Sequence, residues 1–193
     1  MFERWFIHHK FPKNINTTPS NWKKLPLKDV VQISKGKTPA SQENPEGRYP
    51  FFTSSIDSPK KIDSYSYDTT AILVTSAEHF VAKYFSGKFE ASYGSYIIKA
   101  NNENLFIFLL EKLNNFLPTL VKQSSTTSYP QLRKSTLEKQ EIVIPPDNLL
   151  NLFNQFAEPI QKHIDSLSKQ IDTFQVVKKE LIERIYSQNL KIS

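Results

Sequence analysis

The sequence predicts an α+β fold: a strand-rich domain with a packed helix, followed by a long C-terminal coiled-coil helix. Three observations carry this. Between Trp22 and Ala100, short β-branched or aromatic runs alternate with turn residues. A helical spacing of Phe106, Leu109, Leu110, Leu113 and Leu117 follows them. After Pro145-Pro146, apolar residues recur in heptads almost to the end of the chain.

The elements follow in order. Residues 1–21 hold Phe2, Trp5, Phe6 and Phe11 and then the polar PKNINTTPSN, which reads as a linker. Trp5 and Phe6 suit a core or a subunit contact better than base stacking. Residues 22–146 form the strand-rich domain, with strands expected at DVVQIS, AILVTS, HFVAKYF and SYIIKA. The helix NENLFIFLLEKLNNFL takes Asn104 as its cap and Pro118 as its stop. The double proline continues neither strand nor helix, so residues 147–193 begin a new region.

In that region, position a of the heptad holds Leu150, Ala157, Ile164, Ile171, Lys178 and Ile185. Position d holds Phe153, Ile160, Leu167, Phe174 and Leu181. Only Lys178 breaks the seam. Pro159 is costly in mid-helix and suits a first helical position, which predicts a short helix near 148–157 and a long one near 159–188. The long helix would measure roughly 43 Å at 1.5 Å per residue. Nothing else in the chain is long enough to cover it, so Ile160, Ile164, Leu167, Ile171, Phe174, Leu181 and Ile185 are expected to meet a second chain.

Composition narrows the function classes. A hydrophobic content of 38% with 12% aromatics fits a globular protein. The longest apolar run, LFIFLL, is far short of a membrane span, and Glu3 and Arg4 make the N-terminus a poor signal peptide, so a cytoplasmic protein is expected. With no cysteine, disulfides and thiolate zinc sites are excluded. The four glycines, Gly36, Gly47, Gly87 and Gly94, are too dispersed for a dinucleotide fingerprint, a phosphate loop or a glycine-rich adenosylmethionine loop. No acidic residue is followed two positions later by Lys, which removes half of a common nuclease site. His8-His9 lacks companion ligands, and Ser76-Ala77-Glu78-His79 reads as a strand-edge turn. No catalytic site, metal or cofactor is expected.

The net charge of +6 is uneven, with eight basic and two acidic residues before residue 41 and near balance afterwards. Such an excess suits phosphate contacts as well as solubility. Lys35 and Lys37 flank Gly36, where the backbone can approach a partner, and Thr38 completes the turn. Thr53, Ser54 and Ser55 follow a strand and place hydroxyls where bases can be read or a turn capped. Lys60-Lys61 reads as a solvated face. Ser135 and Glu138 have the spacing of a capping box.

Four pieces, in order, resemble the specificity subunit of type I restriction-modification systems. WKKLPLKDVVQISKGKTPA is similar to the opening of a target recognition domain, and YPFFTSSID to its next strand and polar loop. SSTTSYPQLRKSTLEKQEIVIPP is similar to the domain's end, and FNQFAEPIQKHIDSLSKQIDTFQVVKKELIERI to the conserved helical spacer. Such subunits usually carry two recognition domains and two spacer helices. This chain has one of each, and MFERWFIHHKFP looks like the stretch leading into a second recognition domain.

The resemblance implies a non-catalytic subunit that reads double-stranded DNA. It implies a partner methyltransferase subunit and, through it, a restriction subunit. Ser125, Thr126 and Thr127 would lie in a loop facing DNA, with Arg133 and Lys134 near the phosphate backbone and Ile142–Ile144 tying the loop into the sheet. Antiparallel pairing of two spacer helices would make a homodimer on a bipartite site. The alternative is an interaction or decoy protein that binds the methyltransferase subunit without reading DNA itself.

Overall fold

A computed structural model describes residues 1–12, 19–54, 59–77, 80–124 and 130–187, the side chains of Asn21, Gln123 and Ser124 excepted. Contacts divide the chain into Met1–Asn154 and Gln155–Ser193. The first unit is built on eight strands: β1 (Lys23–Pro26), β2 (Val31–Lys35), β3 (Tyr49–Phe52), β4 (Lys60–Ile62), β5 (Tyr67–Thr75), β6 (Ala82–Ala91), β7 (Ser95–Ala100) and β8 (Glu141–Ile144). Four α-helices accompany them: α1 (Leu27–Val30), α2 (Phe106–Ser124), α3 (Lys134–Glu138) and α4 (Asp147–Tyr186).

Six strands form a sheet in the order β2-β7-β5-β6-β3-β4. Every pairing is antiparallel except β3 with β6. Period-2 alternation sorts the side chains onto two faces. Leu73, Ala71, Phe89, Ala91 and Ile97 gather with Phe52 in one cluster, against which Tyr67 and Phe85 pack. On the alternate positions, Ile72 sits opposite both Tyr84 and Ile98, and Tyr84 meets Phe106 of α2 edge-on. Glu90, in β6, is buried as well; its carboxylate accepts hydrogen bonds from the Ser66 hydroxyl (2.5 Å) and the Ala91 N–H (2.9 Å).

The strands β1 and β8 pair separately, with Lys23 opposite Ile144 and Pro26 opposite Glu141. The Ile142–Ile144 segment therefore ties into a two-stranded ribbon and not into the main sheet. The Leu27 N–H donates to the Gln140 carbonyl at 2.7 Å and continues that ribbon. The expected strand DVVQIS is helical up to Val30 and extended only from Val31.

The N-terminal aromatics are core. Phe6 meets the rings of Phe2, Trp5, Trp22, Phe108 of α2 and Phe153 of α4 at centroid distances of 5.0–6.3 Å. Tilted and edge-on contacts dominate, as the ring quadrupole favours. This clasp joins the start of the chain to α2 and to the first turns of α4.

Three local readings need correction. Asn102, not Asn104, caps the helical segment: its backbone is extended and its side chain accepts from the Asn104 N–H at 3.0 Å. Pro118 lies inside α2 and does not end it, and Pro159 lies inside a single 40-residue α4, so the short helix expected near 148–157 and the long one near 159–188 are one. Each proline removes the N–H that would reach the carbonyl four residues back. Pro118 and Asn114 are exposed residues, as are Pro159 and Gln155, so both interruptions fall on solvent-facing positions. The third concerns the capping box, which does not form: Arg133 is the N-cap of α3, without a side-chain bond, and Ser135 lies within the helix.

Truncating the centre of the clasp tests its weight. Phe6→Ala should destabilise the protein by about 3–5 kcal/mol in denaturant unfolding; a loss below about 1 kcal/mol would show that the N-terminal segment is only lightly attached.

Candidate nucleic-acid interface

One tight turn, Ser92 to Ser95, organises the end of the sheet where the predicted contacts gather. The Ser95 N–H donates to the Ser92 carbonyl at 3.0 Å, and the Gly94 N–H to the Ser92 hydroxyl at 3.1 Å. Both serines are 1% exposed. The Ser92 N–H reaches the Phe52 carbonyl (2.8 Å), and the Ser95 hydroxyl is shared between the carbonyls of Phe52 (3.1 Å) and Thr53 (2.8 Å). The end of β3 is thereby fastened beneath the turn.

A second segment clamps on from β2. The Gly36 N–H donates to the Ser95 carbonyl (3.0 Å) and the Lys37 N–H to the Ala91 carbonyl (3.1 Å). Thr38 bridges Ser92, and its carbonyl accepts the Tyr93 N–H at 3.2 Å. A Cβ on Gly36 would lie 2.2 Å from the Ser92 carbonyl oxygen, a distance no side chain tolerates. Gly36 therefore serves close approach to the chain's own backbone; the expectation that it admits a partner is corrected. Lys35 and Lys37 on either side are exposed.

The third segment comes from beyond α2. The Ser76 N–H donates to the Gly94 carbonyl (2.9 Å), and the Ser76 carbonyl accepts the Leu132 N–H (2.9 Å). Ala77 bridges Gln131, and the buried Tyr96 hydroxyl donates to the Leu132 carbonyl at 2.9 Å. Burial, more than the charge of Glu138, raises the Tyr96 phenol above its usual 10.0, so it holds its proton and stays a donor. Arg133 and Lys134 follow directly, both exposed.

The fold thus gathers Lys35, Lys37, Thr38, Ser54, Arg133 and Lys134 around one turn. Among the described residues, no carboxylate pairs with Lys35, Lys37 or Arg133, whereas Lys134 lies 3.5 Å from Glu138. Thr53 is 7% exposed and belongs to the interior. Ser55, Ser125, Thr126 and Thr127 lie outside the described residues. Lys60 is set apart in an ion pair with Glu43. Sequence reasoning missed Tyr93, exposed on the turn itself; the Tyr-Gly step between two strand patterns is the signal that marks it.

The Tyr96–Leu132 bond holds the third segment in place. Tyr96→Phe should cost about 1–3 kcal/mol, because the Leu132 carbonyl loses its donor. Amide exchange should speed up selectively at Leu132 and Arg133; unchanged protection there would mean that the segment is held by other contacts.

Comparison with known proteins places this geometry. Residues 19–185 match the family described as "Type I restriction modification DNA specificity domain". The chain is 26% identical over 157 residues to the type I restriction enzyme EcoDI specificity subunit of Escherichia coli, spanning 80% of this chain and 34% of that subunit. Among solved structures, the type I restriction-modification S subunit from M. genitalium superposes with a TM-score of 0.68 at 16% identity, over 93% of this chain and 48% of that one. The HsdS subunit from Thermoanaerobacter tengcongensis gives a TM-score of 0.57 at 18% identity, over 95% and 49%. The chain therefore spans about a third to a half of these three proteins. Its fold is that of these S subunits, and the chain belongs to the type I restriction-modification DNA specificity family.

Proposed function

We propose that this chain is a non-catalytic DNA-reading subunit that positions a methyltransferase subunit, and through it a restriction subunit, on a specific duplex site. The observation that carries the reading is the convergence of Lys35, Lys37, Arg133 and Lys134 on one turn, from segments far apart in sequence. Exposed cations on a hydrogen-bonded scaffold suit phosphates, which fix register on the duplex. Hydroxyls beside them, Thr38 and Ser54, suit base edges in a groove.

Four phosphate contacts give the reading a salt signature. Replacing Lys35, Lys37, Arg133 and Lys134 with Ala should weaken binding to all sequences and reduce the log–log salt slope by about three to four units. Fluorescence anisotropy of labelled duplexes with the methyltransferase complex measures this, and an unchanged slope would remove these cations from the interface.

The spacer helix supports assembly. Ile160, Ile164, Leu167, Ile171, Phe174, Leu181 and Ile185 are 47–69% exposed on α4, an apolar stripe at heptad spacing broken by Lys178. Fully burying one such side chain contributes roughly 1.5–3 kcal/mol. The reading is an antiparallel pair formed with a second copy, a closed two-fold arrangement. The stripe runs roughly 38 Å at 1.5 Å per residue, about eleven base pairs at ~3.4 Å each. Two identical recognition units related by a two-fold axis read an inverted repeat with a gap between its halves. Ile164→Glu with Ile171→Glu should turn dimers into monomers in sedimentation at micromolar concentration; a monomeric wild-type chain would count against the pairing.

A further inference from the structure

We infer that Tyr93 is a specificity-determining side chain whose ring packs against base edges in a groove of the bound duplex. The inference rests on the DNA-reading assignment above and names a residue within that surface. At 55% exposed, Tyr93 is the most exposed large apolar side chain among the described residues of Met1–Asn154. Single exposed aromatics are common on surfaces and mean little alone. What sets this one apart is its pedestal.

The turn beneath Tyr93 is fixed from three directions. Its own N–H is held by Thr38, the Gly94 N–H by Ser92, the Gly94 carbonyl by Ser76, and the flanking serines by the end of β3. Ser54 stands so close that a Cβ on Gly94 would meet it at 3.1 Å. Neither Tyr93 nor Gly94 has a positive φ, so the backbone demands no special residue at Tyr93. Among the described residues, no aromatic ring packs on Tyr93. In contrast, the next most exposed tyrosine, Tyr65, leans on Tyr49 (4.7 Å) and lies under the Lys88 ammonium (4.8 Å).

A rigid turn that offers a flat, two-torsion side chain presents apolar area at small entropic cost. The segments fastened to the turn carry the exposed Lys35, Lys37 and Ser54 and the half-buried Thr38, so an apolar protein partner on this surface would have to desolvate charges. A duplex instead offers phosphates to those cations, and base edges with their thymine methyl groups to the ring. The observations therefore favour nucleic acid as the occupant.

The test uses the chain in complex with its methyltransferase subunit. The wild-type complex first selects sequences from a randomised duplex pool. Binding of Y93A and Y93F is then compared on a selected and an unselected duplex across a salt titration. Y93A should lose about tenfold or more on the selected duplex, with little change on the unselected one and an unchanged salt slope. Y93F should keep most of the selectivity, because the ring makes the contact. Thermal unfolding of both variants should match wild type, since the side chain is exposed. Y93A with wild-type selectivity, an equal loss on both duplexes, or a Y93F loss as large as that of Y93A would each overturn the inference. A wild-type complex that selects no sequence would defeat the DNA-reading assignment itself, a different failure from a selective wild type matched by Y93A.

Discussion

Buried backbone polar groups must find partners, and in Met1–Asn154 that requirement falls on the four-residue turn between β6 and β7. Strand ends are where ladder bonds run out. Here the carbonyls of Phe52, Thr53 and Ala91 and the N–H of Ser76 all end beside Ser92–Ser95. Two buried serine hydroxyls and the bare backbone of Gly36 complete the set. Because the same bonds join segments from β2, β3, β5 and beyond α2, satisfying the turn also assembles the surface. Precise placement of exposed cations and hydroxyls comes from this scaffold, since a contact surface on rigid elements is more exact than one on free loops.

The two units of the chain treat apolar side chains in opposite ways. In Met1–Asn154 they are interior: the Phe6 clasp, the Phe52–Phe89 cluster and the leucines of α2 are all buried. In Gln155–Ser193 the apolar stripe of α4 is exposed along its length. An apolar stripe of this length left in water is unfavourable and invites a partner helix. Val177 and Ile182 widen the exposed apolar face beyond a strict two-position seam in its last turns.

Much of this was legible in the sequence. The strands AILVTS and SYIIKA, the α2 spacing and the heptads of α4 follow from periodicity, which packing reinforces in the strands and α2. The failures are instructive because each involves a local rule that was overridden at the surface. Pro118 reads as a stop and Pro159 as the start of a new helix, yet α2 and α4 run through them at exposed positions. Ser135 and Glu138 have capping spacing, but the N-cap falls two residues earlier, at Arg133, and Glu138 faces Lys134. The gathering of Lys37, Ser54 and Arg133 about one turn was not readable, because hydrogen bonds between segments far apart in sequence leave no periodic trace. Gly36 was correctly singled out, but the object of its close approach was the chain's own β6–β7 turn.

The central claim is that this scaffold reads duplex DNA as one half of a two-fold pair. Mapping methylated positions in DNA exposed to this chain together with its methyltransferase partner tests that claim most directly. The account predicts a single bipartite motif whose two halves are the same sequence in inverted orientation, separated by an unread gap. Methylation without a shared motif, or at a motif with unrelated halves, would contradict it.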